Sequence, residues 1–151
     1  MTVIATDGKT IASDSYLVEG GVIVNKDIRK LFNHTVWSNE GAGRVLLERH
    51  IIGLCGNYDQ NLQYIKWITN KDADIPTEGM SAIHLTKEGV FGSDLPFFNL
   101  IKLADIYAIG SGCDIALGAM LQGASPEMAV KHACKHVITC GGKVVVMRVP
   151  E

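Results

Sequence analysis

Short runs of apolar and β-branched residues dominate the first half of the chain and predict β-strands. The segments "TVIAT" and "KTIAS" lie on either side of Asp7-Gly8, which is a β-hairpin signal. Three further segments, "VIVNKDIRKLF", "HTVWS" and "RHIIGLC", also have the composition of strands. The pattern therefore predicts a β-rich amino-terminal half that begins with a tight hairpin.

One helix is expected after these strands. The segment "NYDQNLQYIKWIT" has apolar residues at helical spacing, namely Leu62, Ile65 and Ile68. Asn57 or Asp59 can serve as its N-cap. A polar stretch, "NKDADIPTEG", then leads to a hairpin-like pair of segments, "MSAIHLT" and "GVFGS", around Lys87-Glu88.

The carboxy-terminal third predicts a strand, two helices and a final strand, while "PFFNLIKLA" before it is ambiguous. "DIYAIGSG" is typical of a strand that enters a glycine turn, and "CDIALGAMLQG" of a helix that ends at Gly123. Ser125 as N-cap and Pro126 in the first turn begin the next helix, "EMAVKHACKHVI". Gly141-Gly142 precede the last strand, "KVVVMRV".

The order of these elements indicates an α+β fold. Strands and helices come in blocks and do not alternate one by one, so we expect mainly antiparallel sheets with helices packed on them. No repeat, low-complexity tract or Pro/Ser-rich linker divides the 151 residues, so residues 1–151 are interpreted as one domain.

Composition narrows the class of protein further. Hydrophobic residues make up 47% and charged residues 20%, an ordinary globular balance, and the net charge of −2 gives no reason to expect nucleic acid. No apolar run approaches the roughly 20 residues that span a bilayer, and the first residues do not resemble a signal peptide. We therefore expect a cytoplasmic protein without a membrane partner.

Four scattered cysteines raise the question of a metal site. Cys55, Cys113, Cys134 and Cys140 show no CxxC pairing, which favours small buried thiols. His132 and His136 fall on one helix face and could join them as ligands, or form a half-exposed helix edge. Without an adjacent acid or a second cysteine at ligand spacing, we expect neither a metal nor another cofactor.

Three polar positions follow apolar strand segments: Asp14 in "IASDS", Lys30 in "IRKLF" and Ser111 in "AIGSG". Each has a simple structural explanation, since Asp14 suits a turn, Lys30 a protected sheet edge and Ser111 a helix cap.

Together with Thr2, the same residues fit nucleophilic catalysis. An amino-terminal threonine carries a hydroxyl and, with a pKa of about 8, an amine that can remove its proton. A nearby lysine would favour the ionised hydroxyl, an aspartate would keep that lysine charged, and backbone amides of a glycine turn such as "LCGN" would stabilise an oxyanion. This chemistry requires removal of Met1, because an acylated amine cannot act as the base.

The chain resembles the proteasome β-subunit family and its bacterial relative HslV nearly from end to end. "TVIATDGKTIASDS" is similar to the family's opening hairpin, and "IRKLF" to the strand that carries its lysine, sixteen residues after Asp14. "IIGLCGNYDQ" resembles its oxyanion turn, with Gly56 at the expected amide. "DIYAIGSGCDIALGAML" is the most specific segment, and "ASPEMAVKHA" and "GGKVVVMRV" resemble the closing helix and strand.

This resemblance implies a fold and a function. The fold would be a four-layer αββα sandwich of two antiparallel sheets. The function would be that of a threonine protease, a hydrolase with the N-terminal nucleophile Thr2 and with Asp14, Lys30, Ser111 and Gly56 in its site. Two other functions remain open, a non-catalytic ring subunit and an amidase that acts on a small molecule.

The resemblance also implies partners and a pocket. It suggests a homo-oligomeric ring, polypeptide substrates and an ATP-dependent unfoldase as partner. By the family pattern Leu54, beside Cys55, lines the pocket for the residue that precedes the cut.

The chain departs from the family pattern in two places. The family often has an aspartate in the closing helix and a Ser or Thr before the glycines, where His136 and Thr139 fall in this chain. The first hairpin is also about four residues shorter. A turn centred on Asp7-Gly8 would pair Thr2 with Ser13, whereas one centred on Gly8-Lys9 would pair it with Ser15. We favour the second arrangement, because it keeps Asp14 beside the nucleophile's neighbour on the strand.

Overall fold

A computed structural model describes residues 2–40, 43–69, 79–94 and 101–150, with only the backbone given for 36–40, 43–48, 93 and 94. The described residues form eleven strands and three helices. The strands are β1 (Val3–Thr6), β2 (Thr10–Ser13), β3 (Leu17–Glu19), β4 (Val22–Asn25), β5 (Leu31–Glu40), β6 (Gly43–Gly56), β7 (Met80–Thr86), β8 (Gly89–Asp94), β9 (Ile101–Lys102), β10 (Tyr107–Gly110) and β11 (Val145–Arg148). The helices are α1 (Tyr58–Thr69), α2 (Cys113–Leu121) and α3 (Pro126–His136).

Two antiparallel sheets form the centre of the molecule. The first has the strand order β10-β1-β2-β11, the second has the order β5-β6-β7-β8-β9, and β3 and β4 pair in a separate hairpin. Apolar side chains of both sheets meet in a buried cluster that includes Ile4 and Ile11 from the first sheet and Ile51, Ile83 and Leu85 from the second. The sheets therefore face each other across one hydrophobic core.

Helices cover the outer faces of both sheets. Ala116 of α2 and Ala129 of α3 pack with Val3 and Ala12 of the first sheet. Tyr64 and Ile68 of α1 pack on the second sheet. The layers thus run α2/α3, first sheet, second sheet, α1, and the predicted four-layer αββα sandwich is confirmed.

The first hairpin has the register that places Thr2 opposite Ser15. Ile4 pairs with Ser13 and Thr6 with Ile11, so Gly8 and Lys9 are the two central residues of the turn. Gly8 has a φ of +90°, as the first central residue of a II′ turn requires. The expectation that Gly8-Lys9 centres this turn is confirmed.

Helix α1 has the predicted extent, and two of the three apolar residues at helical spacing face the core. It begins at Tyr58, and Asn57 is the cap, because its side-chain oxygen accepts a hydrogen bond from the Gln60 amide at 3.2 Å. Asn61, Tyr64 and Ile68 are its buried residues, whereas Leu62 is 38% exposed. Of the three apolar residues at helical spacing, Ile68 is buried and Ile65 packs against the same core, while Tyr64 also faces inward and bonds a buried histidine of the sheet.

The remaining predicted elements are mostly observed. Ser125 caps α3 by accepting a hydrogen bond from the Met128 amide, and Gly123 follows α2 with a φ of +103°. "HTVWS" lies inside β5, which begins only at Leu31, so Lys30 stands one residue before the strand. The ambiguous "PFFNLIKLA" and the polar "NKDADIPTEG" lie largely outside the described residues. No helix in the described part is long and apolar enough to cross a membrane.

Candidate active site

The Asp14 carboxylate joins three separate parts of the chain at the end of the first hairpin. It directly follows β2 and is fully buried. One of its oxygens accepts hydrogen bonds from the Val3 amide at 3.1 Å and from the Lys30 ammonium at 2.7 Å. The other oxygen accepts from the Gly141 amide at 3.1 Å. Buried charges are stable only when they are paired and hydrogen-bonded, and this carboxylate meets both conditions.

Lys30 supplies the opposite charge. Its side chain is only 5% exposed. The ammonium donates to the same Asp14 oxygen that accepts a hydrogen bond from the amide of Val3, the residue after Thr2. The carbonyl of Lys30 accepts from the Leu54 amide at 3.1 Å, which extends the β5–β6 pairing by one residue. The backbone of the second sheet thereby fixes the position from which the lysine side chain reaches across to Asp14.

Thr2 lies at the beginning of β1, immediately before the amide that Asp14 binds. The residue is 5% exposed, and its carbonyl accepts hydrogen bonds from the Gly112 amide at 3.3 Å and the Ser111 hydroxyl at 3.4 Å. Gly110, with a φ of +96°, makes this approach possible, because a Cβ there would overlap the Thr2 carbonyl. The "AIGSG" turn therefore fixes the backbone of Thr2.

A cleft of about 530 Å³ adjoins Thr2. Gly56 lines it at the end of β6 with a φ of +108°, and a Cβ at this position would overlap the carbonyl of Gly79. The position thus requires glycine, and it leaves the backbone at the cleft uncovered by a side chain. The other lining residues are Leu17, Val18, Glu19, Cys55, Asn57, Tyr58, Asp59, Gly110 and Ser111.

Leu54 does not line this cleft. Its side chain is 1% exposed and packs with Tyr64 and Met80 in the core beneath α1. Successive side chains of a strand point to opposite faces, so Cys55 points the other way and lines the cleft. The candidate pocket residue on β6 is therefore Cys55 and not Leu54.

A thiol lies beside Ser111. Cys140 Sγ lies 3.5 Å from Ser111 Oγ, and the residue is 2% exposed. Thr139, which falls where the family has a Ser or Thr before the glycines, comes one residue earlier and is half-buried. His136 is exposed at the end of α3, where its ring lies 4.8 Å from that of His132. Within the described residues no three His, Cys, Asp or Glu side chains could hold a metal together.

Several residues of the cleft were missed at the level of sequence. The three residues directly after Gly56 are Asn57, Tyr58 and Asp59. Their position next to the predicted oxyanion turn could have indicated that they line the cleft. Leu17, Val18 and Glu19 reach the cleft through the β3–β4 hairpin, which no local pattern relates to Thr2.

Solved structures share this fold over the whole chain. The chain matches eukaryotic HslV from Trypanosoma brucei with a TM-score of 0.68 at 16% identity, covering 100% of both chains. It matches Thiobacillus denitrificans BPH in complex with epoxomicin with a TM-score of 0.68 at 18% identity over 100% of both chains. A second structure of that protein gives 0.66 at 19% identity over 99% of both. By sequence the chain matches no family model and no curated protein. The architecture around Thr2 is thus the HslV fold.

Proposed function

We propose that this protein is a threonine peptidase of the proteasome/HslV kind, with Thr2 as the nucleophile once Met1 has been removed. One observation carries the proposal. A single buried carboxylate oxygen, from Asp14, binds both the Lys30 ammonium and the amide adjoining Thr2, at the edge of a cleft large enough for a peptide side chain. The likeness of the fold to HslV supports the same function.

The reaction begins with the amine of Thr2. It takes the proton of the Thr2 hydroxyl, and the resulting alkoxide oxygen attacks the carbonyl carbon of a peptide bond. The positive charge of Lys30 favours the alkoxide, and Asp14 holds that charge in place. The C–N bond then breaks, the amine returns the proton to the leaving nitrogen, and an ester with Thr2 remains.

Water completes the cycle. The free amine of Thr2 takes a proton from a water molecule, the resulting hydroxide attacks the ester carbon, and the Thr2 hydroxyl is regenerated. We assign the oxyanion of both steps to the amide of Gly56, whose uncovered backbone lines the cleft. No cofactor enters either step.

Turnover of a fluorogenic peptide by the chain that begins at Thr2 tests this function. The amino-terminal mass first establishes that Met1 is absent. Thr2→Ala should then lose all turnover, while Thr2→Ser, which keeps a hydroxyl and an amine, should retain part of it. Epoxomicin, which the T. denitrificans protein binds, should inhibit the reaction. Equal turnover in Thr2→Ala would contradict the proposal, and a correctly processed but inactive chain would favour a non-catalytic ring subunit.

We also infer that the chain forms a homo-oligomeric cytoplasmic ring that receives polypeptides from an ATP-dependent unfoldase. Large apolar side chains on and near the outer helices support an assembly, since Leu121, Met128 and Ile138 are 64%, 57% and 90% exposed. The native mass in solution tests the ring. A species of 16.3 kDa, the mass of one chain, would contradict it.

A further inference from the structure

Ser111 lines the cleft beside Thr2 and carries a hydroxyl at an exposed position. It belongs to the turn between β10 and α2, and it donates a long hydrogen bond of 3.4 Å to the Thr2 carbonyl. An exposed hydroxyl normally exchanges between such a bond and water. A second contact is needed to keep this hydroxyl directed at Thr2.

Cys140 makes that second contact from the buried side. Its sulfur lies 3.5 Å from Ser111 Oγ, within the range of a sulfur hydrogen bond. A serine hydroxyl has one proton, and here that proton is directed to the Thr2 carbonyl. Either atom could donate in this contact, and because the single serine proton is directed to the Thr2 carbonyl, we assign the donor role to the thiol, with Ser111 as the acceptor.

The surroundings of Cys140 keep the thiol protonated and fixed. The residue is 2% exposed, packs in the core beneath α2 and α3, and donates its amide to the Val137 carbonyl at 3.0 Å. Gly141, the next residue, is held on both sides, by Asp14 through its amide and by Ser15 through its carbonyl. Burial raises the pKa of the Cys140 thiol, so the donor proton is present at neutral pH.

We propose that Cys140 is a positioning residue for the nucleophile: its thiol donates a hydrogen bond to Ser111 and thereby directs the serine hydroxyl onto Thr2. The consequence for turnover rests on the proposed peptidase function, whereas the hydrogen bond itself does not. A cysteine that served only to fill the core would leave the Ser111 hydroxyl free to rotate.

The S–H stretching band tests the hydrogen bond without any activity measurement. Subtracting the Raman spectrum of Cys140→Ser from that of the unaltered chain isolates the band of this thiol. Ser111→Ala removes the acceptor, so the band should move to higher frequency. Cys134→Ser removes a half-buried thiol of the same core and serves as the control that leaves this band in place. A band that does not move in Ser111→Ala would overturn the proposal.

Kinetics test the positioning role. Cys140→Ala should lower kcat about fivefold to tenfold, as expected for loss of one hydrogen bond, with KM within twofold. Cys140→Ser keeps a donor and should recover most of that loss, whereas Cys134→Ala should change neither constant. An unchanged kcat in folded Cys140→Ala, or an equal loss in both Cys140 variants, would overturn the role. If the unaltered chain hydrolyses no peptide while the band moves as expected, the peptidase function fails and the hydrogen bond stands.

Discussion

Two buried polar clusters lie on either side of the second sheet. One is a pair of opposite charges, and the other is a chain of neutral hydrogen-bonding groups. At the candidate site, Asp14 and Lys30 face each other as opposite charges 2.7 Å apart. Beneath α1, Tyr64, His84 and His50 form a chain of hydrogen bonds, and the salt bridges found within the described residues do not involve either histidine. The Tyr64 hydroxyl lies 2.7 Å from His84 Nε2, and His84 Nδ1 lies 2.8 Å from His50 Nδ1.

The geometry of the second cluster, the Tyr64–His84–His50 chain, requires that at least one of its two histidines be neutral. Two Nδ1 atoms face each other, and only one of them can carry a proton if a hydrogen bond is to form between them. Burial lowers the pKa of His84 to about 3, with repulsion from His50 as a smaller cause. Burial also lowers the pKa of His50. The Tyr64–His84–His50 chain therefore connects α1 to the sheet through hydrogen bonds between uncharged groups.

The difference indicates which cluster has a chemical role. An uncharged chain of hydrogen bonds stabilises the contact of α1 with the sheet. A buried ion pair, in contrast, requires desolvation of two charges and is weak evidence for stability. The buried charges of Asp14 and Lys30 therefore support the proposed reaction, in which a fixed ammonium favours the Thr2 alkoxide.

The largest expected effect is the loss of turnover in Lys30→Arg. The charge is retained, but a planar guanidinium cannot occupy the space of an ammonium that is 5% exposed and bonded to Asp14. We expect turnover of a fluorogenic peptide to fall by at least about a thousandfold while the assembly keeps its native mass. Lys131→Arg changes an exposed lysine that pairs with Glu127, and it should leave turnover unaltered. Full activity in Lys30→Arg would remove Lys30 from the site.

Acid should weaken the fold through the Tyr64–His84–His50 chain. His84 has a pKa of about 3 when folded and 6.5 as its ordinary value, so between these values the unfolded chain binds more protons than the folded one. The free energy of unfolding is then highest above pH 6.5 and falls by about 1.4 kcal/mol per pH unit for this residue as the pH drops below 6.5. His50 adds to the slope in the same direction.

Urea unfolding at a series of pH values from 7.5 to 4.5 measures this slope. His50→Gln should reduce it, because one of the two neutral histidines is removed. His132→Gln changes an exposed histidine on α3 and should leave the slope as it is. A free energy of unfolding that stays constant below pH 6.5 would show that the histidines are not held neutral.

Removal of the hydroxyl from Tyr64 is expected to have a smaller effect. Tyr64→Phe leaves the buried Nε2 of His84 without its 2.7 Å partner, which should lower the free energy of unfolding by about 1 to 3 kcal/mol. Turnover at a temperature where both proteins are folded should be nearly unchanged. Tyr107→Phe, at a half-buried tyrosine between the sheets, is the matched control. A loss of turnover without a loss of stability would place Tyr64 in the catalytic machinery.

Some features of the fold and the site follow from local sequence, whereas others depend on contacts between elements that are distant in sequence. The turn residues limited the hairpin register to two choices, and the expected position of Asp14 decided for the turn at Gly8-Lys9 that is observed. The inward position of Tyr64 could not be predicted, because its bond to His84 joins elements that are distant in sequence. The contact of Ser111 with Cys140 likewise spans 29 residues and depends on how Asp14 holds Gly141.

The smallest predicted effect concerns charge selection in the cleft. Glu19 and Asp59 are its only charged lining residues among those described, and Leu17 and Cys55 supply an apolar wall. A substrate side chain with an aliphatic stem and a cationic end would suit this lining, because the stem can contact the wall while the charge stays near the carboxylates. Since both acids are exposed, solvent screens each contribution to a few tenths of a kcal/mol up to about 1 kcal/mol.

We therefore expect Glu19→Gln and Asp59→Asn each to lower kcat/KM about twofold to fivefold for peptides with Lys before the cut, and to leave matched peptides with norleucine unchanged. High salt should reduce the preference for Lys in the unaltered chain, because exposed charges are screened. Glu127→Gln removes an acid on α3 that the cleft does not include, and it serves as the control for net charge. If both cleft variants keep the full preference for Lys, or if the unaltered chain shows none, these carboxylates do not select the substrate and the apolar wall decides the specificity.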